Sequence, residues 1–109
     1  MLMTEDNLNA LQARINKFCT ERDWSQFHDP KNLAISLQLE AAEVLELFQW
    51  TKDNQAKETR VDKMPAELAD VFYWTLLMAN YYDIDLVSAL NTKMDKNEEK
   101  YPIEKAVGK

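Results

Sequence analysis

The stretch Pro30-Lys31-Asn32-Leu33-Ala34-Ile35-Ser36-Leu37-Gln38-Leu39-Glu40-Ala41-Ala42-Glu43-Val44-Leu45-Glu46-Leu47-Phe48-Gln49-Trp50 decides how the chain folds. Asp29 before Pro30 has the form of an N-cap followed by proline at the first helical position, so a helix is expected from Pro30 to Trp50. Its apolar residues, Leu33, Ile35, Leu37, Leu39, Val44, Leu45, Leu47 and Phe48, are spread around most of the circumference. A helix of that kind belongs in the middle of a structure. Against this background stand three glutamates, Glu40, Glu43 and Glu46, spaced by three residues and therefore on one face.

Working outward, Leu8, Leu11, Ile15 and Phe18 recur at three- and four-residue steps and predict an amphipathic helix from about Thr4 to Arg22. Asp23-Trp24-Ser25-Gln26-Phe27-His28 follows neither helix nor strand period and reads as a loop. On the other side, residues 51–63 are polar and read as a connection. Pro65 suits the first turn of a helix that runs to about Tyr82 and is apolar nearly all round. Asp83 or Asp85 can cap a last helix whose stripe of Leu86, Leu90 and Met94 ends near Tyr101-Pro102. No sustained two-residue alternation supports a strand. The expectation is an all-α four-helix bundle forming a single domain over 1–109. Val71, Phe72, Tyr73, Leu76, Leu77 and Met78 cover more directions than one neighbour can bury, so the bundle should be completed by oligomerisation, as a dimer or a dimer of dimers.

Composition narrows the function. The chain has 109 residues and a net charge of −6, which opposes binding to nucleic-acid polymers or anionic membranes. No apolar run reaches the roughly 18 residues of a membrane span. Cys19, the sole cysteine, has no intrachain partner and should pack as a small hydrophobe. Met-Leu-Met-Thr-Glu-Asp lacks the basic and apolar regions of a secretory signal, so a cytoplasmic location is expected.

Glu67-Leu68-Ala69-Asp70 supplies a second acidic pair at i and i+3 in an otherwise apolar helix. One such pair is commonplace on solvated faces. Two pairs facing each other between apolar helices repel and lose hydration unless they take up protons or a cation. Oxygen-only ligation suits Mg²⁺, Mn²⁺ or Ca²⁺ rather than zinc. A di-iron site of the ferritin type needs two Glu-x-x-His motifs, and the only histidine, His28, lies outside both acidic helices. A non-enzymatic helical adaptor that presents an acidic, metal-binding face is the alternative from another functional class.

Four elements in order carry a resemblance over nearly the whole chain. They are E-x-x-E (Glu40, Glu43) followed by E-x-x-D (Glu67, Asp70), Glu-Arg-Asp-Trp-Ser-Gln-Phe-His around Trp24, Glu-Leu-Phe-Gln-Trp ending at Trp50, and Lys-Met-Asp-Lys-Asn-Glu-Glu-Lys-Tyr-Pro from Lys93. The chain resembles the MazG-type all-α nucleotide pyrophosphohydrolases, within them the dCTP pyrophosphatase-like branch. Ala41-Ala42 departs from the glycine that relatives often carry beside the glutamates. The resemblance implies Mg²⁺-dependent cleavage, with Mn²⁺ as an alternative ion, of (deoxy)nucleoside triphosphates such as dCTP or non-canonical dNTPs. The products would be the monophosphate and pyrophosphate, in the manner of a house-cleaning hydrolase. It implies Glu40, Glu43, Glu67 and Asp70 as metal ligands, with Glu46 adjoining them. Glu43 or Glu46 is the expected base toward water.

Lys93, Asn97 and Lys100 or Tyr101 share a face near the end of the last helix, where they could grip phosphates; solvated lysines and a Tyr101 packed on Pro102 are the structural alternative. Trp24, Phe27, His28 and Trp50 flank the acidic helix, and Trp74 lies four residues beyond Asp70. They could stack on and hydrogen-bond a base, or serve as core.

Overall fold

The computed structural model describes residues 5–50 and 61–108. Among these, the elements in chain order are α1 (Glu5–Glu21), a 3-10 turn (Ser25–Phe27), α2 (Pro30–Glu46), α3 (Met64–Tyr82), α4 (Leu86–Lys100) and a single-turn α5 (Ile103–Ala106). The all-α class and the four long helices are as expected. Thr4 and most of the predicted 51–63 connection lie outside the described residues.

Asp29 caps α2 as its sequence suggests, its Oδ1 accepting from the Asn32 backbone N–H at 2.9 Å, with Pro30 in the first turn. The helix is shorter than expected. After Glu46 the backbone tightens into i to i+3 turns, with Leu47 N–H donating to Val44 O, Phe48 to Leu45 O and Gln49 to Glu46 O. The apolar residues Leu47 and Phe48 extend the hydrophobic pattern past the point where the backbone leaves α geometry. α3 begins one residue earlier than expected, at Met64.

α1 and α3 end in the same way, with an aspartate where glycine is usual. Asp23 and Asp83 both have φ of 54°, in the left-handed region. Trp24 N–H reaches back to Cys19 O at 3.0 Å and Asp23 N–H to Thr20 O at 3.1 Å; Ile84 N–H bonds Ala79 O at 2.9 Å and Asp83 N–H bonds Asn80 O at 3.3 Å. These paired bonds are Schellman closures, which satisfy carbonyls that a helix end would otherwise leave open. Of the two candidate caps for α4, Asp85 has that role, accepting from Ser88 N–H at 3.1 Å. Asp83 instead terminates α3. The turn of helix after Tyr101-Pro102 was not legible from the sequence pattern.

α2 and α3 are antiparallel and form the central pair, with Leu33 beside Leu77 at one end and the acidic pairs together at the other. α1 packs on α3, while α4 touches its neighbours only slightly. Among the described residues the core is small: Leu8, Cys19, Leu33, Leu76, Leu77 and Ala79 are buried. Cys19 packs as a small hydrophobe, its Sγ 3.4 Å from the Tyr73 hydroxyl. Burial, followed by that contact with Cys19, raises the Tyr73 hydroxyl above its ordinary pKa. No helix among the described residues is long and apolar enough to cross a membrane.

The chain on its own is open. Its radius of gyration is 17.1 Å, against about 13 Å for a compact domain of this length. Its accessible surface is 9059 Å², whereas a compact monomer of 12.8 kDa exposes about 6,300 Å². Leu39, Leu45, Leu68, Phe72 and Leu90 lie among the exposed apolar side chains.

Two substitutions test this packing by urea unfolding. Leu33→Ala is expected to cost about 3 kcal/mol, because Leu33 is 1% exposed and the pair cannot close on the void. Asp83→Gly is expected to gain about 0.5–1 kcal/mol by relieving the left-handed backbone. A loss of stability in Asp83→Gly contradicts this account of the α3 terminus.

Candidate active site

Glu40 and Glu43 project from α2 toward Glu67 and Asp70 on α3, and one carboxylate oxygen from each lies within 4.8 Å of all the others. Oε2 of Glu40 and Oε2 of Glu67 are buried and, among the described residues, have no hydrogen-bond partner. Buried anionic oxygens without donors are costly, and a hard cation shared among four carboxylates satisfies them all. The residues therefore fit a divalent metal ion, which this donor set would bind through oxygen alone.

The electrostatics agree. A proton-sharing contact with Glu43, then burial, then the charges of Glu43, Asp70 and Glu67 push the Glu40 carboxyl up to about 7. Glu67 is also raised, first by loss of hydration and then by Glu43, with Asp70 and Glu46 adding to it. Glu46, the last residue of α2, is thus near enough to act on the cluster while standing outside the four.

Along the same helix pair lies an aromatic cavity of about 340 Å³, lined by Trp24, Phe27, His28, Asn32, Leu33, Ser36 and Trp74. The Schellman turn at Asp23 carries the chain into Trp24 and the 3-10 turn, which brings residues distant from Trp74 in sequence onto it. His28 and Trp74 meet edge to face at 6.0 Å, Trp74 meets Tyr73 at 5.1 Å, and Trp24 meets Phe18 at 5.4 Å. Asn32, Ser36 and Glu40 fall at four-residue steps on α2, and Trp74, Asp70 and Glu67 fall at helical steps on α3. Cavity and carboxylates are therefore successive stations along one α2/α3 groove, about 6 Å apart at one helical turn.

The structure thus brings together Glu40, Glu43, Glu67 and Asp70, and separately Trp24, Phe27, His28 and Trp74. It does not bring Trp50 to the cavity; that indole is 90% exposed. Lys93, Asn97, Lys100 and Tyr101 are on or just after α4 and line neither station. Asn97 Nδ2 lies 4.0 Å from Met94 Sδ, and Lys100 Nζ sits 5.4 Å from the Tyr101 ring centre. Asn32 and Ser36 were missed by sequence reasoning. Their signal was available in the four-residue register that leads back from Glu40.

With fold and site in view, the class of the protein is clear: residues 35–109 match the MazG-like family, and the chain belongs to it. It is 37% identical over 106 residues to dCTP pyrophosphatase 1 of Rattus norvegicus, covering 91% of this chain and 61% of that protein. It is 35% identical over 103 residues to dCTP pyrophosphatase 1 of Homo sapiens, covering 90% and 61% respectively. The chain therefore spans about 61% of the length of these curated relatives. Among solved structures, a pyrophosphatase from Archaeoglobus fulgidus superposes with a TM-score of 0.82 at 35% identity, over 94% of this chain and 98% of that one.

The raised carboxyls give a pH signature. Glu40 binds its proton more tightly in the fold, at about 7, than at the ordinary 4.5. Its stabilisation is complete below the lower value and is lost as pH rises through the upper. In EDTA, the melting temperature of the wild type relative to Glu40→Gln should fall between about pH 5 and pH 8, and saturating Mg²⁺ should remove that fall. A pH-independent difference in EDTA contradicts the crowding of these carboxylates.

Proposed function

We propose that this protein is a Mg²⁺-dependent nucleoside triphosphate pyrophosphohydrolase that converts dCTP or related, including non-canonical, deoxynucleotides to the monophosphate and pyrophosphate. The observation that supports it most is the two-station groove, four carboxylates with two unpartnered buried oxygens one helical turn from an aromatic cavity. The names of the relatives, dCTP pyrophosphatase 1 and a pyrophosphatase, agree with this reading.

In the proposed reaction Glu40, Glu43, Glu67 and Asp70 hold Mg²⁺, with Mn²⁺ able to substitute. When bound, the ion supplies charge neutralisation at the phosphates and a more acidic water. The protein's own groups do the rest. Trp24, Phe27, His28 and Trp74 receive the base, fix the nucleoside along the groove and exclude water from one side of it. Glu43 or Glu46 takes the proton from the attacking water, which adds to phosphorus as the bond to the departing pyrophosphate breaks. Glu46 suits this task because it borders the four ligands without being one of them. Lys93 and Lys100 neutralise the outer phosphates, Asn97 and Tyr101 hydrogen-bond them, and Trp50 covers the base, once copies of the chain assemble.

Assembly is part of the proposal. A dimer or dimer of dimers would cover the exposed apolar side chains of α2, α3 and α4 and account for the excess accessible surface. The reading places the enzyme in the cytoplasm, among free nucleotides.

Incubation with Mg²⁺ and a panel of deoxynucleoside triphosphates, with separate assays for pyrophosphate and orthophosphate, should give pyrophosphate alone. Glu43→Ala and Glu67→Ala should lower kcat by at least about a hundredfold. Release of orthophosphate as the first product, or undiminished turnover in both variants, contradicts the assignment. Light scattering at micromolar concentration should give at least twice the 12.8 kDa chain mass, and a monomer contradicts the assembly.

A further inference from the structure

We infer that Asn32 selects the nucleobase by its exocyclic amino group, through an acceptor atom whose polarity the fold fixes. The inference rests on reading the aromatic cavity as the base pocket. Asn32 lines that cavity. Its Nδ2 donates to Asp29 Oδ2 at 2.9 Å and to the Phe27 backbone carbonyl at 3.3 Å. Both partners only accept hydrogen bonds, so a flipped amide would set Oδ1 against a carboxylate and a carbonyl. The orientation of this carboxamide is therefore dictated by its neighbours. The neighbours are themselves fixed: Asp29 caps α2 through the Asn32 backbone N–H at 2.9 Å, and the 3-10 turn at Phe27 is closed by its N–H on Trp24 O at 2.9 Å. Oδ1 is the amide atom left for a ligand, and it can only accept.

The other polar groups lining the cavity do not discriminate in this way. His28 can donate or accept according to its tautomer, and the Ser36 hydroxyl turns to suit its partner. The indole N–H groups of Trp24 and Trp74 only donate, which suits the O2 carbonyl that cytosine and uracil share. An acceptor of fixed polarity separates the bases at one position. Cytosine offers a 4-amino donor where uracil has a keto oxygen, and adenine offers a 6-amino donor where hypoxanthine has a keto oxygen. Against either keto base, two acceptors would face each other with no proton between them, and that mismatch is a source of rejection. The register supports the placement, since Asn32 and Glu40 lie on one face of α2 about 12 Å apart. Asn32 thus addresses the base edge, while Glu40 lies where an ion it helps to hold would meet the phosphates. Asp29, two bonds removed from the ligand, is a positioning residue that holds the amide.

The test measures kcat and KM of pyrophosphate release from dCTP, dUTP, dATP and dITP, with Mg²⁺, for the wild type, Asn32→Ala and Asp29→Asn. The wild type should favour dCTP over dUTP, and dATP over dITP, by about tenfold or more in kcat/KM. Asn32→Ala leaves the Asp29 cap on the backbone N–H intact, so it should melt near the wild type. It should collapse both ratios, chiefly through a higher KM for the amino-bearing substrates with kcat retained. Asp29→Asn can still cap α2 but can also donate to Asn32, freeing the amide to turn over; its dCTP to dUTP ratio should fall while its helix content is retained. Wild-type ratios of one or below, or ratios unchanged in Asn32→Ala, overturn the inference while leaving the proposed reaction standing. If none of the four triphosphates is cleaved, the reaction fails independently, and the amino preference is read from thermal stabilisation by dCMP against dUMP. Greater stabilisation by dCMP that is lost in Asn32→Ala supports the inference, and equal stabilisation overturns it.

Discussion

Four carboxylates held between two apolar helices repel one another, and much else in the molecule is arranged around that repulsion. A helix pair could bury the α2/α3 contact more favourably with leucines at Glu40, Glu43, Glu67 and Asp70. Instead one carboxyl is pushed up to about 7 and two carboxylate oxygens are buried without partners among the described residues. Such a cluster is stable only where something positive, a proton or a cation, is shared among its members. The opposing force comes from the other end of the same helices, where Leu33, Leu77 and Cys19 form the core. The fold thus anchors α2 and α3 at one end and gathers the four carboxylates at the other.

The antiparallel register ties the carboxylates to the aromatic cavity. Any shift of α2 along α3 that separated Glu43 from Glu67 would also carry Asn32 and Ser36 away from Trp74. The two stations are thus held in one register by the packing of α2 on α3. The third wall of the cavity comes from the α1 terminus. There the left-handed Asp23 turns the chain so that Trp24, Phe27 and His28 face α3. Among the described residues the core is small, apolar side chains of α2, α3 and α4 are exposed, and α4 packs only slightly on its neighbours.

Much of this was legible in the sequence because it is periodic. The acidic pairs are read directly from three-residue spacing, and Asp29-Pro30 announces the start of α2. What was not legible depends on local backbone geometry or on distance in space. Leu47 and Phe48 continue the apolar pattern, yet the backbone has already tightened, so α2 ends sooner than hydrophobicity suggests. Asp83 has the composition of an N-cap but terminates the preceding helix, because a left-handed φ is not visible in a one-dimensional pattern. Asn32 and Ser36 are polar residues in an apolar helix, and only their alignment with Glu40 and Trp74 in space places them along the cavity. Trp50 belongs by sequence with the other aromatics, yet the end of α2 carries it outside the cavity.

The central claim is that carboxylates and aromatic cavity form one site, and calorimetry tests it most directly. Titration of a non-hydrolysable α,β-imido analogue of dCTP, with and without Mg²⁺, should show at least about tenfold tighter binding when the ion is present. Asp70→Asn should abolish that gain, while Trp74→Ala should weaken nucleotide binding and leave Mg²⁺ binding unchanged. Nucleotide affinity indifferent to Mg²⁺ in the wild type would contradict the account.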